Sequence, residues 1–271
     1  MTDTTQGGTG GAAQGLVAAV NGGPSWHPPA HRAARVALVP CAGSGSRAGA
    51  GLPKQYVEVA GRSLVHWTLD SLLETPGVDG VLLVVSPGDT QHEQALPQAL
   101  RQRVWIRACG GDSRASSVLN GLKVLRELGL REQDWVLVHD AARCLLQPSS
   151  VQRLISACEQ DEVGGLLALP LPDTLKRADA QGRVQATVPR EGMWAAQTPQ
   201  MFRLQRLRHS LEHALRAGVT VTDEASAVEH SGAQPLLVEG EPENFKVTYA
   251  QDFERARSVL EGRTTIKETS R

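Results

Sequence analysis

Apolar and polar residues follow two rhythms along this chain, and both begin at Arg35. Short runs at Val36–Val39, Val81–Val85, Val104–Ala108, Trp135–Val138 and Leu166–Leu169 hold almost no polar position, as expected of strands covered by helices on both faces. Between them the apolar residues fall at helical spacing, with Val65, Leu69, Leu72 and Leu73 in one stretch and Ala115, Val118, Leu119, Leu122 and Leu125 in another. Pro148 ahead of Ser149 and Ser150 predicts a helix running to about Glu159, and Tyr249–Leu260 predicts a terminal one. Strand runs alternating with amphipathic stretches, without internal repeat, predict an α/β fold around a central, mostly parallel sheet.

One stretch breaks the rhythm. From Pro170 to Gly192 two prolines lead into Thr174-Leu175-Lys176-Arg177 and Val184–Val188, set about Ala180-Gln181-Gly182. Alternation around a glycine-containing turn predicts a hairpin projecting from the domain as an arm, and such an arm commonly grips a second subunit. Residues 1–32, rich in Gly, Ala and Thr, are too poor in apolar side chains to offset ordering entropy and are expected to form a disordered leader. The folded domain is expected over 33–262, with a flexible tail over 263–271.

Composition narrows the partners. Apolar residues make up 41% of the 271 positions against 21% charged, enough for a sizeable core. A formal net charge of −1 leaves no global basic field for a nucleic acid, so anions must be met locally. No apolar run approaches the roughly 20 residues that span a bilayer, and no signal peptide stands at the N-terminus, so a membrane partner is not expected and the location expected is cytoplasmic. Cys41, Cys109, Cys144 and Cys158 include no CxxC pair, which speaks against a zinc site or a disulfide framework.

The most informative segment leaves the first strand: Val39-Pro40-Cys41-Ala42-Gly43-Ser44-Gly45-Ser46-Arg47, continuing through Gly49 and Gly51 to Pro53-Lys54-Gln55. Glycines let backbone N–H groups approach an anion, and successive inward N–H groups form a concave site suited to phosphate. A tight strand-to-loop turn is the competing reading. The loop is neither a Rossmann nor a Walker A motif, because Ala48 stands at the third Rossmann glycine and no G-K-[ST] occurs. It carries instead Arg47 and Lys54. Nucleotidyl transfer builds charge on the α-phosphate as pyrophosphate leaves, and two fixed cations answer that need.

With Gly43-Ser44-Gly45-Ser46-Arg47 and Pro53-Lys54-Gln55-Tyr56 placed, the sequence resembles the 2-C-methyl-D-erythritol 4-phosphate cytidylyltransferases of non-mevalonate isoprenoid synthesis. The match continues, in the family's order, through Gly110-Gly111-Asp112-Ser113-Arg114, Val138-His139-Asp140-Ala141-Ala142-Arg143, Asp173-Thr174-Leu175-Lys176-Arg177, Gln197-Thr198-Pro199-Gln200, Thr222-Asp223-Glu224-Ala225-Ser226 and Asn244-Phe245-Lys246-Val247-Thr248. The resemblance implies a three-layer, Rossmann-like nucleotidyltransferase fold with a protruding β-hairpin arm. It implies a homodimer through that arm, CTP and a small phosphorylated polyol as substrates, and Mg²⁺ or another divalent cation as cofactor.

Carried over position by position, the resemblance makes Arg47 and Lys54 catalytic and places Ala42, Gly43, Gly45, Gly111, Asp112, Ser117, Asp140 and Ala141 around the nucleotide. Thr174, Arg190, Thr198 and Lys246 fall near the acceptor, the last two cations of that group, Arg190 and Lys246, supplying donors for its phosphate. Asp140 stands at the carboxyl end of a strand, where ligands of open α/β sheets collect, and is the expected metal ligand; capping the next loop is the alternative. His139 is assigned a packing role, because an already ionised acceptor phosphate needs no base. Asp223 and Glu224 are read as opening a helix. Ser44 is given no catalytic role.

Two positions depart from the family's usual residues: Cys41 stands where Ala is usual, and Cys144 where Pro follows the Val138–Arg143 segment. An inert buried thiol is expected at Cys144. With a short polar tail after Leu260, no second catalytic domain of the kind fused in some family members is expected. Two other functions remain open: a related cytidylyltransferase acting on another polyol phosphate such as ribitol 5-phosphate, and a non-catalytic nucleotide-binding homologue.

Overall fold

A computed structural model describes residues 23–43 and 52–269, with side chains as far as residue 263. Strand β1 (Arg35–Pro40) is followed by a single 3-10 turn (Lys54–Tyr56), the short antiparallel pair β2 (Glu58–Val59) and β3 (Arg62–Ser63), and helix α1 (Leu64–Leu73), which Ser63 caps by accepting the His66 N–H. Strand β4 (Gly80–Val84) leads through α2 (Gln91–Ala95) and α3 (Gln98–Arg101) to β5 (Trp105–Arg107), α4 (Arg114–Glu127) and β6 (Trp135–Val138). Helix α5 (Pro148–Cys158) begins on its proline, where a missing N–H costs nothing. Then come β7 (Gly164–Pro170), β8 (Leu175–Ala178), β9 (Val184–Val188), β10 (Trp194–Arg203), α6 (Leu204–Arg216), α7 (Glu224–His230), β11 (Leu236–Glu239) and α8 (Ala250–Thr269).

Seven strands form one sheet in the order β11-β7-β10-β6-β1-β4-β5, parallel except for β10, which runs against both β6 and β7. Strand alternation divides the core into two layers. Ala37, Val39, Leu83 and Leu137 face α1 and α5, whereas Val36, Leu38, Val84 and Val138 face α4, α6 and α7. A smaller cluster joins Val59, Leu64, Leu145 and Val247 to Ala256 and Leu260 of α8, which closes one end of the domain.

The hairpin expected over 170–192 is present as β8 and β9, paired antiparallel from Leu175 with Val188 to Ala178 with Val184. The expected leader and tail are described only in part, since residues 1–22, 270 and 271 lie outside the described residues, and the described parts differ from expectation. Residues 23–32 are not a loose leader, because the Trp26 ring meets Trp105 edge-on with centroids 5.3 Å apart, Trp105 Nε1 donates to the Pro24 carbonyl, and Arg32 pairs with Asp79. Two large indoles supply the apolar area that Gly and Pro lack. The tail expected from residue 263 continues α8 to Thr269, and Arg263 anchors it by donating to the Leu145 carbonyl and to Glu243.

Of the elements that were not anticipated, two bear on the site. Helix α6 buries Leu204, Leu207, Leu211 and Ala214, a helical spacing plain in the sequence once its start at Leu204 is known. Strand β10 is harder to recognise because its buried middle is polar: Gln197, Thr198 and Gln200 lie inside, and its pairing with β7 shifts register between Ala196 and Gln200.

Candidate active site

The carboxyl ends of β1, β5 and β6 open on a cleft of about 410 Å³. Pro40 to Gly43 form one wall, Gly111 to Arg114 and Ser117 another, and Lys54, Asp140, Ala141 and Lys246 complete it. Of the residues expected at the nucleotide, Ala42, Gly43, Gly111, Asp112, Ser117, Asp140 and Ala141 are therefore together, with Lys54 beside them. Arg47 and Gly45 lie outside the described residues.

The two loops touch through glycine. A Cβ at Gly110 would stand 2.3 Å from the Ala42 Cβ and 3.0 Å from the Val85 carbonyl oxygen, so only a hydrogen fits between the loops. Ser113 caps α4 by accepting the Ser116 N–H. Ser117, expected beside the nucleotide, already accepts the Gly111 N–H at 3.0 Å and donates to the Ser113 carbonyl at 2.9 Å. Its hydroxyl thus shapes the turn that presents Gly111 and the exposed Asp112 to the cleft.

Asp140 follows β6 and is buried with both carboxylate oxygens engaged. Arg114 Nε donates to Oδ1 and Lys246 Nζ to Oδ2, each at 2.8 Å, and Arg143 Nε stands 3.8 Å away. Burial alone would raise its pKa, but the Arg114 and Lys246 charges outweigh that and hold the carboxyl well below the usual carboxylate range. Arg114 spans to a second carboxylate, donating from Nη1 and Nη2 to Glu224 at 2.7 and 2.9 Å. Glu224 is fully buried, and burial pushes its carboxyl up against the pull of Arg114. The expected helix start holds, with Asp223 as cap, but Glu224 serves as a bidentate anchor rather than a charge on a helix end.

Thr198 and His139 form a relay of hydrogen bonds beneath Asp140. Because the Arg143 carbonyl can only accept, His139 Nε2 carries the proton and donates to it at 3.1 Å. Nδ1 then accepts from Thr198 Oγ1 at 2.9 Å, and the same Oγ1 accepts the Asp140 N–H at 3.1 Å. Burial lowers the His139 pKa to about 4, so the ring is neutral at pH 7. The packing role expected for His139 becomes a specific one, and the Thr198 hydroxyl, expected near the acceptor, has its proton committed to this ring. Thr198 lines an adjoining cavity of about 270 Å³ shared with Arg143, Gln200, Thr222 and Lys246.

Segments far apart in sequence are stitched to the Gln197–Gln200 stretch. Asn244 Nδ2 donates to the Thr198 carbonyl, Gln197 Nε2 to the Glu241 carbonyl, and Gln200 bonds both Asp223 and the Ala225 N–H. Lys54, at the head of the 3-10 turn, reaches the Val247 carbonyl at 2.8 Å. Arg114, Arg143, Gln55, Gln200 and Glu224 were not assigned as site residues from the sequence, although each lies in a motif that was. Thr174 and Arg190 are exposed on or beside the arm, and neither lines the cleft of its own chain. Cys144 is buried, its thiol pushed up to about 12 by burial.

The donor chemistry bears on a metal. Among the described residues no group of three His, Cys, Asp or Glu side chains could hold an ion. The single carboxylate of Asp140 suits an ion carried by phosphate oxygens, since Mg²⁺ is commonly held by one or two carboxylates plus substrate phosphates.

Comparison with known proteins agrees with this architecture. Residues 35–262 match the family described as 2-C-methyl-D-erythritol 4-phosphate cytidylyltransferase. The chain is 51% identical over 241 residues to the protein of that name from Ralstonia nicotianae, covering 87% of this chain and 95% of that one. It is 54% identical over 230 residues to the bifunctional enzyme IspD/IspF of Albidiferax ferrireducens; the match covers 84% of this chain but only 53% of that longer protein. A crystal structure of 4-diphosphocytidyl-2C-methyl-D-erythritol synthase superposes with a TM-score of 0.74 at 41% identity, covering 84% of this chain and 99% of that one. On these grounds the chain belongs to the 2-C-methyl-D-erythritol 4-phosphate cytidylyltransferase family.

Proposed function

We propose that the protein transfers CMP from CTP to 2-C-methyl-D-erythritol 4-phosphate, releasing pyrophosphate and 4-diphosphocytidyl-2-C-methyl-D-erythritol. The observation that carries this reading is the joining of Lys54 and the Pro40–Gly43 loop to the buried Asp140, Arg114 and Lys246 group in one cleft. Family membership supplies the identity of the substrates.

In this reading an oxygen of the acceptor phosphate attacks the α-phosphorus of CTP, and the bond to the pyrophosphate oxygen breaks. The attacking phosphate is already ionised, so no base is required, in keeping with a buried neutral His139. Lys54 and Arg47 stabilise the charge that builds on the α-phosphate. Lys246 exchanges Asp140 for the acceptor phosphate, while Arg114 and Glu224 keep the Asp140 carboxylate in place. A divalent ion, Mg²⁺ for example, would take Asp140 as its protein ligand and neutralise triphosphate charge. Gly111 and Asp112 face cytosine from a turn shaped by Ser117.

The second copy enters through the arm. Thr174 and Arg190 stand away from their own cleft, and Val184, Met193 and Trp194 leave large apolar surface exposed on and beside the arm. A two-fold contact would cover both copies and bring Arg190 and Thr174 to the partner's acceptor site. Buried free thiols, and the lack among the described residues of a helix long and apolar enough to cross a membrane, support work in the cytoplasm.

The test is pyrophosphate release with CTP and methylerythritol phosphate, run beside ribitol 5-phosphate and beside UTP. Release with methylerythritol phosphate and CTP alone is expected. Faster turnover of ribitol 5-phosphate would move the protein to another acceptor, and CTP binding without release on any acceptor would make it a binding module.

A further inference from the structure

Three consecutive carbonyl groups at the start of the cleft loop are each held by a side chain. Gln55 Nε2 donates to the Cys41 carbonyl at 3.0 Å and to the Gly43 carbonyl at 2.8 Å, and Ser86 Oγ donates to the Ala42 carbonyl at 2.9 Å. Both partners of Gln55 can only accept, which fixes its amide with the nitrogen toward the loop. Gln55 is buried, so the two bonds are made away from water.

In a trans peptide the N–H of a residue points opposite to the carbonyl of the residue before it. Holding the Cys41 and Ala42 carbonyls against the protein therefore turns the Ala42 and Gly43 N–H groups the other way. The Cys41 N–H still belongs to the sheet, donating to the Val84 carbonyl at 2.7 Å, but the Ala42 and Gly43 N–H groups have no acceptor among the described residues. The space agrees with this polarity. Gly110 packs the Ala42 side chain from one direction, whereas a Cβ added at Gly43 would meet nothing within 4 Å. One edge of the loop is bonded and packed, and the other is open with unpaired donors.

We propose that Gln55 and Ser86 are positioning residues that set the peptide orientation of the Cys41–Gly43 loop, so that its N–H groups are preorganised for the triphosphate of the nucleotide. The inference rests on the reading of this cleft as the CTP site. Gln55 follows Lys54 in the same 3-10 turn, so one turn aims the catalytic lysine and fixes the loop beside it. Without these donors the carbonyls can rotate toward the cleft and present oxygens to an anion, which weakens phosphate binding more than it alters the reacting atoms.

The experiment uses the full chain with three substitutions, Gln55→Met, Gln55→Glu and Ser86→Ala. Steady-state KM is measured for CTP and for the acceptor separately, and binding of inorganic tripolyphosphate by calorimetry. Gln55→Met should raise KM for CTP and weaken tripolyphosphate binding by about ten-fold, with KM for the acceptor within about two-fold of wild type. Gln55→Glu should be worse than Gln55→Met, because a carboxylate would face two carbonyl oxygens. Ser86→Ala should shift the same two quantities in the same direction and reports independently if a Gln55 variant does not fold. Wild-type affinity for CTP and tripolyphosphate in folded Gln55→Met, or in Ser86→Ala, would overturn the proposal, as would a loss confined to thermal stability. If wild type fails to turn over CTP yet binds tripolyphosphate in a Gln55-dependent way, the cytidylyltransferase reading falls and the loop assignment stands.

Discussion

In the function proposed, the two walls of the cleft hold phosphate in different ways. The wall from β1 offers backbone: short side chains, exposed N–H groups, and a loop shaped by Gln55 and Ser86 from outside. The wall from β6, β10, α7 and the segment around Lys246 offers side-chain charge, with Asp140 and Glu224 set among Arg114, Arg143 and Lys246. A backbone site is made by geometry and tolerates little added volume. A charged site in a low-dielectric interior is made by neutralisation, and an unpaired member costs several times what it would in water. Each wall should therefore fail in its own way.

The largest effect is expected where the walls meet the reacting phosphate. Lys54→Ala and Arg47→Ala should each lower kcat by about two orders of magnitude or more, with a smaller change in CTP affinity, because their attraction grows as α-phosphate charge builds. A raised KM with normal kcat would recast either residue as a ground-state anchor.

On the charged wall, Glu224→Ala removes the bidentate partner of Arg114 and should cost about 3 kcal/mol of stability, read as a shift in urea midpoint. Glu224→Gln should recover part of it, since the amide oxygen still accepts from Arg114. On the backbone wall, Gly110→Ala must move one loop off the other and should cost about 2 kcal/mol while raising KM for CTP. If Gly110→Ala is stable and binds CTP normally, the loops are not held as tightly as the 2.3 Å approach requires.

The arm supplies a third, smaller contrast, because its residues are absent from their own cleft. Lys54→Ala and Arg190→Ala subunits, refolded together in equal amounts, should regain about one quarter of wild-type activity, since half the dimers are mixed and each has one intact site. No recovery in a verified mixed dimer would place Arg190 in its own subunit. Smallest of all is the expected reaction of the thiols. Burial raises Cys41, Cys144 and Cys158 to about 12 and Cys109 to about 11, so a disulfide reagent at pH 8 should label the folded chain slowly and the unfolded chain at once. These raised values also fix a sign: the stability they contribute is complete below pH 9 and is lost as pH rises toward 12.

The two walls were not equally visible in the sequence. Apolar runs marked β1, β4, β5, β6 and β7 to within about two residues at their ends, and the glycine loop with Lys54 identified the backbone wall. β10 escaped because its buried residues satisfy their polarity through bonds to Asp223, Ala225 and Glu241, partners that no local pattern names. Arg114 and Glu224 are separated by 110 positions, and each by itself reads as an ordinary charge at a helix start.

What the sequence determined alone was whatever depends on short-range periodicity and backbone freedom: the βα alternation, the arm, and the loop that leaves β1 through Gly43 at the mouth of the cleft. Which carboxylate a buried arginine faces, whether a threonine proton is free for substrate, and which way a carbonyl points were decided only by the tertiary structure. Those choices depend on partners brought together by the sheet, and a buried polar group takes its role from the partners that satisfy it.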